Sequence, residues 1–172
     1  ASGKVLIAGG TGSNSALRQA ELFNPSSGTR GCFTVVAGVM TAARTNHMAA
    51  PIVGGLLGGR VLLMGGDNLK STEVFDGNFG IFAAGPDMTT ERANATVVTL
   101  ANNKILVLGG LSGSTPLASA EVFDPATGAF TATGSMATAR SGALAKLLSN
   151  GTVMVFGGTN NDSTPSQTQG LK

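Results

Sequence analysis

Short apolar runs recur along the chain, and each one ends in a pair of glycines. The runs are Lys4–Ala8, Arg60–Met64, Lys104–Leu108 and Thr152–Phe156, and the exits are Gly9-Gly10, Gly65-Gly66, Gly109-Gly110 and Gly157-Gly158. Their residues are apolar on consecutive positions, which predicts strands buried on both faces. After three of these exits comes a strand carrying a Glu-apolar-Phe box, at Glu21, Glu73 and Glu121. Turns follow at Asn24-Pro25-Ser26-Ser27-Gly28, Asp76-Gly77-Asn78 and Asp124-Pro125-Ala126-Thr127-Gly128. There Asx side-chain bonding, aided by Pro or Gly, reverses the chain. A further strand leads to a Met-x-x-x-Arg box, at Met40/Arg44, Met88/Arg92 and Met136/Arg140. A last segment (Thr45–Val53, Asn94–Leu100, Gly142–Leu148) runs towards the next apolar run; Asn102-Asn103 and Asn150-Gly151 read as hairpin turns. No segment shows the period of an amphipathic helix.

The boxes give the period. The Met-x-x-x-Arg boxes are spaced 48 and 48, the Glu boxes 52 and 48, and the Gly pairs 56, 44 and 48. Four antiparallel strands in about 48 residues fit a propeller blade stacked face to face with its neighbours. A β-helix rung is much shorter, and an immunoglobulin sandwich would not repeat internally. The length differences fall between strands, chiefly in the Gly-rich stretch around Gly54–Gly59, where loops accept insertions. The expected fold is all-β. It has a partial blade over 3–40, full blades over 41–88 and 89–136, a partial blade over 137–158, and a Ser/Thr/Asn/Gln-rich tail over 159–172.

Composition narrows the chemistry. Of 172 residues, 26 are glycine and only 12% are charged, with net charge +2. Scattered cations and no Trp or Tyr argue against a nucleic-acid stacking platform. No apolar run is long enough to span a membrane as a helix. Cys32 is the single cysteine, so no internal disulfide forms. No signal peptide is legible at Ala1-Ser2-Gly3-Lys4. Few charges and abundant Ser, Thr and Gly lead us to expect a secreted or cell-surface protein.

These boxes resemble the Kelch repeat, in its bacterial form similar to the central propeller of galactose oxidase. The Gly pairs, the stretch from Glu121 to Phe130 and the Met…Ala-Arg boxes carry the resemblance, which covers Gly3 to Gly158. Kelch repeats usually place Tyr where Phe23, Phe75 and Phe123 stand, and Trp where Phe82 and Phe130 stand. Phe keeps the packing and drops the polar donors. The resemblance would imply a copper site of tyrosines, two histidines and a Tyr–Cys crosslink. A chain with no Tyr and one His cannot build it, and no cofactor or metal is expected.

Counting strands gives three, four, four and two, or three blades with one strand over. Propellers close with about 4–8 blades, so three would leave apolar faces and edges open. The chain is therefore expected to be a piece of a longer Kelch protein or to associate head to tail, as a six-bladed ring from two copies or as a filament.

Features that recur in each blade read as fold, and features that occur once are candidates for function. Arg44, Arg92 and Arg140, with Glu21, Glu73 and Glu121, are expected to form structural ion pairs near the blade junctions; an arginine-lined anion site is the alternative. His47, three residues after Arg44, reads as a strand residue near the axis, and Cys32 as a small strand residue. Gly9-Gly10-Thr11-Gly12-Ser13 lacks the Lys-Ser/Thr and the helix of a phosphate loop, and no Gly-x-Ser-x-Gly occurs. The loops Thr11–Gln19, Asp67–Lys70 and Leu111–Ser119 share one face, and Arg18, Asp67 and Lys70 are the candidate ligand contacts there. The expected function is a non-catalytic binding or assembly module that recognises protein or glycan through that face. The first alternative is a structural subunit whose blades stack between chains; the second is a fragment of a larger Kelch enzyme.

Overall fold

The computed structural model describes residues 3–160 and 169–171. Its architecture is all-β: four antiparallel sheets follow one another along the chain. The first holds β1 (Val5–Ala8), β2 (Ala20–Asn24) and β3 (Cys32–Val35) in the order β1-β2-β3. The second holds β4 (Met48–Pro51), β5 (Val61–Met64), β6 (Thr72–Asp76) and β7 (Ile81–Ala84) in simple meander order. In the third, β8 (Thr96–Thr99), β9 (Ile105–Leu108), β12 (Ala120–Asp124) and β13 (Ala129–Thr133) make the same meander. A two-stranded hairpin, β10 (Leu111–Ser112) with β11 (Thr115–Pro116), sits in its longer central loop. The fourth holds β14 (Leu144–Leu147), β15 (Val153–Phe156) and β16 (Gln169–Leu171).

β16 departs from the sequence reading, which ended the fourth blade at 158. Gln169 pairs with Val155 as Glu121 pairs with Val107. It stands 48 residues after Glu121, so the period continues into the tail. The box was hidden because Gln-Gly-Leu stands where the earlier blades have Glu-Val-Phe. The expected tail residues 161–168 and 172 lie outside the described residues.

The meanders are in register from blade to blade. Val61 pairs with Phe75, Ile105 with Phe123, and Val5 with Phe23. Each Phe of the box then meets an aromatic directly across the next strand. Ring centroids are 4.9 Å apart for Phe23–Phe33, 4.8 Å for Phe75–Phe82 and 5.1 Å for Phe123–Phe130. These tilted pairs add to area burial.

Three apolar layers lie between successive sheets. Met48, Ala50, Leu62 and Val74 of the second sheet pack with Ile105, Val107, Phe123 and Phe130 of the third. Leu106, Leu108 and Ala120 of the third meet Val153 and Val155 of the fourth. Ala20, Leu6 and Leu22 of the first meet Leu63 and Phe75 of the second. Strands β5 and β9 are therefore covered on both faces, as their unbroken apolar runs predict. β1 and β15 depart from that expectation. Val5 and Ile7 alternate exposed with half-buried Leu6 and Ala8, and Phe156 is exposed, because the end sheets each have one covered face.

Backbone hydrogen bonds also stitch the sheets at the blade connections. Asn46, Asn94 and Gly142 take left-handed φ of 53°, 52° and 64° at equivalent positions. Asn94 N–H donates to Asn46 O at 2.8 Å, and Gly142 N–H to Asn94 O at 2.9 Å. Asn and Gly are the residues that take such φ at least cost.

Candidate functional site

Of the repeated Arg and Glu residues, Arg44, Glu73, Arg92 and Glu121 form two buried ion pairs, whereas Glu21, expected to pair in the same way, is exposed. Arg44 Nε lies 3.1 Å from Glu73 Oε1, and Arg92 Nε lies 2.7 Å from Glu121 Oε1. All four side chains are at most 1% exposed. Each arginine comes from the link leaving one blade and each glutamate from the third strand of the next. Arg92 Nη1 donates to Gly109 O and Ser119 O, both at 2.9 Å, and Nη2 to Ser119 Oγ at 2.9 Å. Arg44 does the same with Gly65 O, Ser71 O and Ser71 Oγ. The glutamates in turn accept link N–H groups: Thr41 and Ala42 for Glu73, and Thr89 for Glu121. A buried charge pair is tolerated when its remaining donors and acceptors are satisfied, as they are here. Arg140, the third in the series, is buried and donates to Gly157 O at 2.7 Å. No anion site opens around the two complete pairs, whose guanidinium groups are turned into carbonyls and carboxylates.

A second charged series was missed in the sequence reading. Arg60 Nε bonds Asp76 Oδ2 at 2.9 Å, and Lys104 Nζ bonds Asp124 Oδ2 at 2.8 Å. The legible signal was a cation opening the second strand of the blade and an Asp closing the third. The Lys104 bond, together with the Ala126 N–H, holds the Asp124 carboxyl below the usual carboxylate range.

The three loop candidates do not converge. Arg18 Nε donates to Met40 O at 2.6 Å, Lys70 Nζ stands 3.7 Å from Asp87, and Asp67 accepts from Thr45 and Asn46. No hydrogen bond or ion pair joins the three among the described residues. Asp67 instead repairs a short loop. In the next two blades this position is met by backbone bonds, Ala93 N–H to Leu111 O and Ser141 N–H to Thr159 O, both 2.9 Å. In the second blade the loop is four residues shorter, and the Asp67 carboxylate takes the Thr45 N–H at 3.0 Å and the Thr45 hydroxyl as well.

The Thr45 hydroxyl bond is the main cause that lowers the Asp67 pKa from 3.8. A lowered carboxyl pKa gives stability that is present above the unfolded value and is lost as pH falls through the folded one. Asp67→Asn is therefore expected to flatten the stability-versus-pH curve below pH 3.8, read by denaturant unfolding at several acid pH values, while Asp87→Asn serves as the exposed control. An unchanged acid limb in Asp67→Asn would contradict this role.

His47 is half-buried just before β4; burial first, and then the Arg44 charge, lowers its pKa. Cys32 is exposed on the edge strand β3.

The outer face of the first sheet is uncovered. Register places Val5, Phe23 and Phe33 in one row and Ile7, Glu21 and Val35 in the next. Val5 is 53% exposed, Ile7 45%, Phe33 60% and Val35 74%, and Glu21 is exposed at the centre of the second row. The equivalent positions of the second sheet are Val61, Phe75, Phe82, Leu63, Glu73 and Ala84. The first sheet and Arg44 cover that face, including Leu63, Phe75 and Glu73. The outer face of the first sheet is thus the same surface without its neighbour.

Comparison with known proteins agrees with this geometry. A Kelch motif model matches residues 91–137, which span the link, strands and hairpin of the third blade. Among solved structures, a fungal alcohol oxidase of the AA5 family, in complex with copper, matches with TM-score 0.72 and 22% identity. The match covers 92% of this chain and 35% of that one, so the chain spans about a third of that structure's length. No curated protein sequence matches the chain. The motif and the fold define the class: the chain is an open, partial β-propeller of stacked antiparallel blades, and its third blade carries a Kelch motif.

The likeness is one of fold alone. The chain has no Tyr and one His, and among the described residues no three of His, Cys, Asp and Glu converge. No helix among them is long and apolar enough to cross a membrane.

Proposed function

We propose that the chain is a non-catalytic assembly module, which binds by stacking its outer blade face against a further Kelch-type blade. One observation carries this reading: the first sheet presents uncovered the same six positions that, in the second sheet, face the preceding blade. The chemistry of the partner follows from the covered copies. Glu21 calls for a guanidinium and two N–H groups from a Met-x-x-x-Arg turn, as Glu73 receives from Arg44, Thr41 and Ala42. Val5, Ile7, Phe33 and Val35 call for an apolar sheet. Recognition of a protein or glycan by the loop face has weaker support, since Arg18, Asp67 and Lys70 are each engaged locally.

Light scattering after size exclusion tests the reading. The 17.0 kDa chain is expected to run as a particle of two or more copies, and Val35→Asp and Glu21→Lys are expected to return it to monomer. A wild-type chain that is monomeric at all concentrations would overturn the reading.

A further inference from the structure

One side chain in the blade links breaks the repeat. Asn46, Asn94 and Gly142 hold equivalent left-handed positions, and the residues after them are His47, Ala95 and Ala143. Each of the three packs its Cβ against the second glycine of its own blade's exit. A Cβ added to Gly66, Gly110 or Gly158 would meet that of His47, Ala95 or Ala143 at 3.1, 2.7 and 3.0 Å. Alanine therefore satisfies this place twice. His47 adds an imidazole, and the ring reaches across the junction to the first blade. A Cβ on Gly9 would stand 3.0 Å from His47 Cε1, with the Arg44 carbonyl at 2.6 Å and Met40 Cε at 3.1 Å. The imidazole is thus wedged between the glycine exits of two successive blades.

The wedge has a constraint on its protonation. His47 Nδ1 is buried and has no hydrogen-bond partner. A neutral imidazole can keep Nδ1 as a bare acceptor and carry its proton on Nε2. In an imidazolium both nitrogens are donors, and a buried donor without a partner costs stability. The Arg44 carbonyl beside the ring already accepts the Gly10 N–H at 2.8 Å. Two charged groups act on the ring: Arg44, which opposes a second positive charge, and Asp67, in the loop after β5, which favours one. The glycine exits and Met40 bring no charge.

We propose that His47 is a proton-sensitive wedge: neutral, it holds the first blade against the second, and protonated, it loosens that junction. The surroundings act with the required sign. Burial is the largest influence on the ring and the Arg44 charge the second; both lower its pKa from 6.5, against smaller opposing effects of the Arg44 carbonyl and Asp67. The folded chain therefore takes up this proton at lower pH than the unfolded chain does. Stability falls as pH drops through 6.5 and levels off below the folded value. The backbone bond at stake is Gly10 N–H to Arg44 O. At the next junction Gly66 N–H donates to Arg92 O, also at 2.8 Å, with no histidine beside it. The wedge acts within one chain, so it stands apart from the assembly reading.

The chain has one histidine, so NMR of its ring protons follows this titration alone, and the midpoint is expected below 6.5. Urea unfolding between about pH 5 and pH 8 is expected to show wild-type stability falling towards acid. His47→Ala installs the residue that the next two blades hold, so the fold accommodates it. It is expected to lose that slope, whatever its stability at the alkaline end. Hydrogen exchange locates the effect: the protection factor at Gly10 should fall towards acid while that at Gly66 holds. The same slope in Glu21→Lys would place the effect within the chain rather than in association. A midpoint at or above 6.5, an equal slope in His47→Ala, or equal losses at Gly10 and Gly66 would each overturn the proposal. A slope confined to the associating chain would overturn it as well, and a slope in a chain that is always monomeric would sustain it and leave only the blade-face reading defeated.

Discussion

Replacing Arg92 by methionine is expected to destabilise the chain by about 3–5 kcal/mol, the usual cost of removing one partner from a buried charge pair. Methionine fills much of the arginine volume, so the loss is electrostatic more than steric. Glu121 would remain 0% exposed with a negative charge opposed only by the Thr89 N–H and hydroxyl. The carbonyls of Gly109 and Ser119 would lose a donor in the same step. Because the pair joins two blades, unfolding should begin at the junction of the second and third sheets. Urea denaturation measures the effect, and the double variant Arg92→Met/Glu121→Leu supplies the decisive comparison. If the stranded carboxylate is the main cost, the double variant should be more stable than Arg92→Met alone. A single variant within about 0.5 kcal/mol of wild type would mean that Arg92 is not part of the fold.

The second large effect is expected from Gly65→Ala, at about 2–5 kcal/mol from the left-handed backbone and the forced contact together. Gly65 has φ +63°, which an alanine adopts only with strain. A Cβ there would stand 2.2 Å from Arg92 O and 2.9 Å from Met88 Cε. The carbonyl cannot step aside cheaply, because it accepts the Gly66 N–H at 2.8 Å and belongs to the turn that aims the Arg92 side chain at Glu121. Gly128→Ala is the control: its φ is also positive, at +68°, but nothing lies within 4 Å of its added Cβ. A thermal melt should show Gly65→Ala well below Gly128→Ala. Equal losses would reduce the Gly65 effect to backbone conformation alone and refute the close approach of link and strand.

These two residues also show why the blades were readable from sequence. A Gly pair is required wherever a strand leaves the sheet against the returning link, so the constraint recurs and the eye finds it. The Arg and Glu boxes recur for the same reason. Their partnership was legible only as a class, since the bond joins residues 29 apart in different blades. The Arg60–Asp76 and Lys104–Asp124 pairs went unread because arginine and lysine alternate at one end and the spacing changes with the inserted loop. β16 went unread because its residues differ from the box while its register does not. Asp67 was singled out because it occurs once. Its uniqueness reflects a shortened loop, whose missing backbone bond the carboxylate replaces.

Local chemistry along the chain determined the strands, the turns, the period of about 48 residues and the kind of blade. Each of these depends on residues close in sequence: alternating or continuous apolar runs, Asx turns, and glycines at positive φ. Only the tertiary structure decided which faces are covered. Val5 and Ile7 have the same apolar character as Val61 and Leu63, yet the first pair is exposed and the second largely buried. A strand's sequence specifies that it can be buried, whereas burial itself requires another sheet at packing distance. The face around Glu21 is open because no further sheet is packed against the first one.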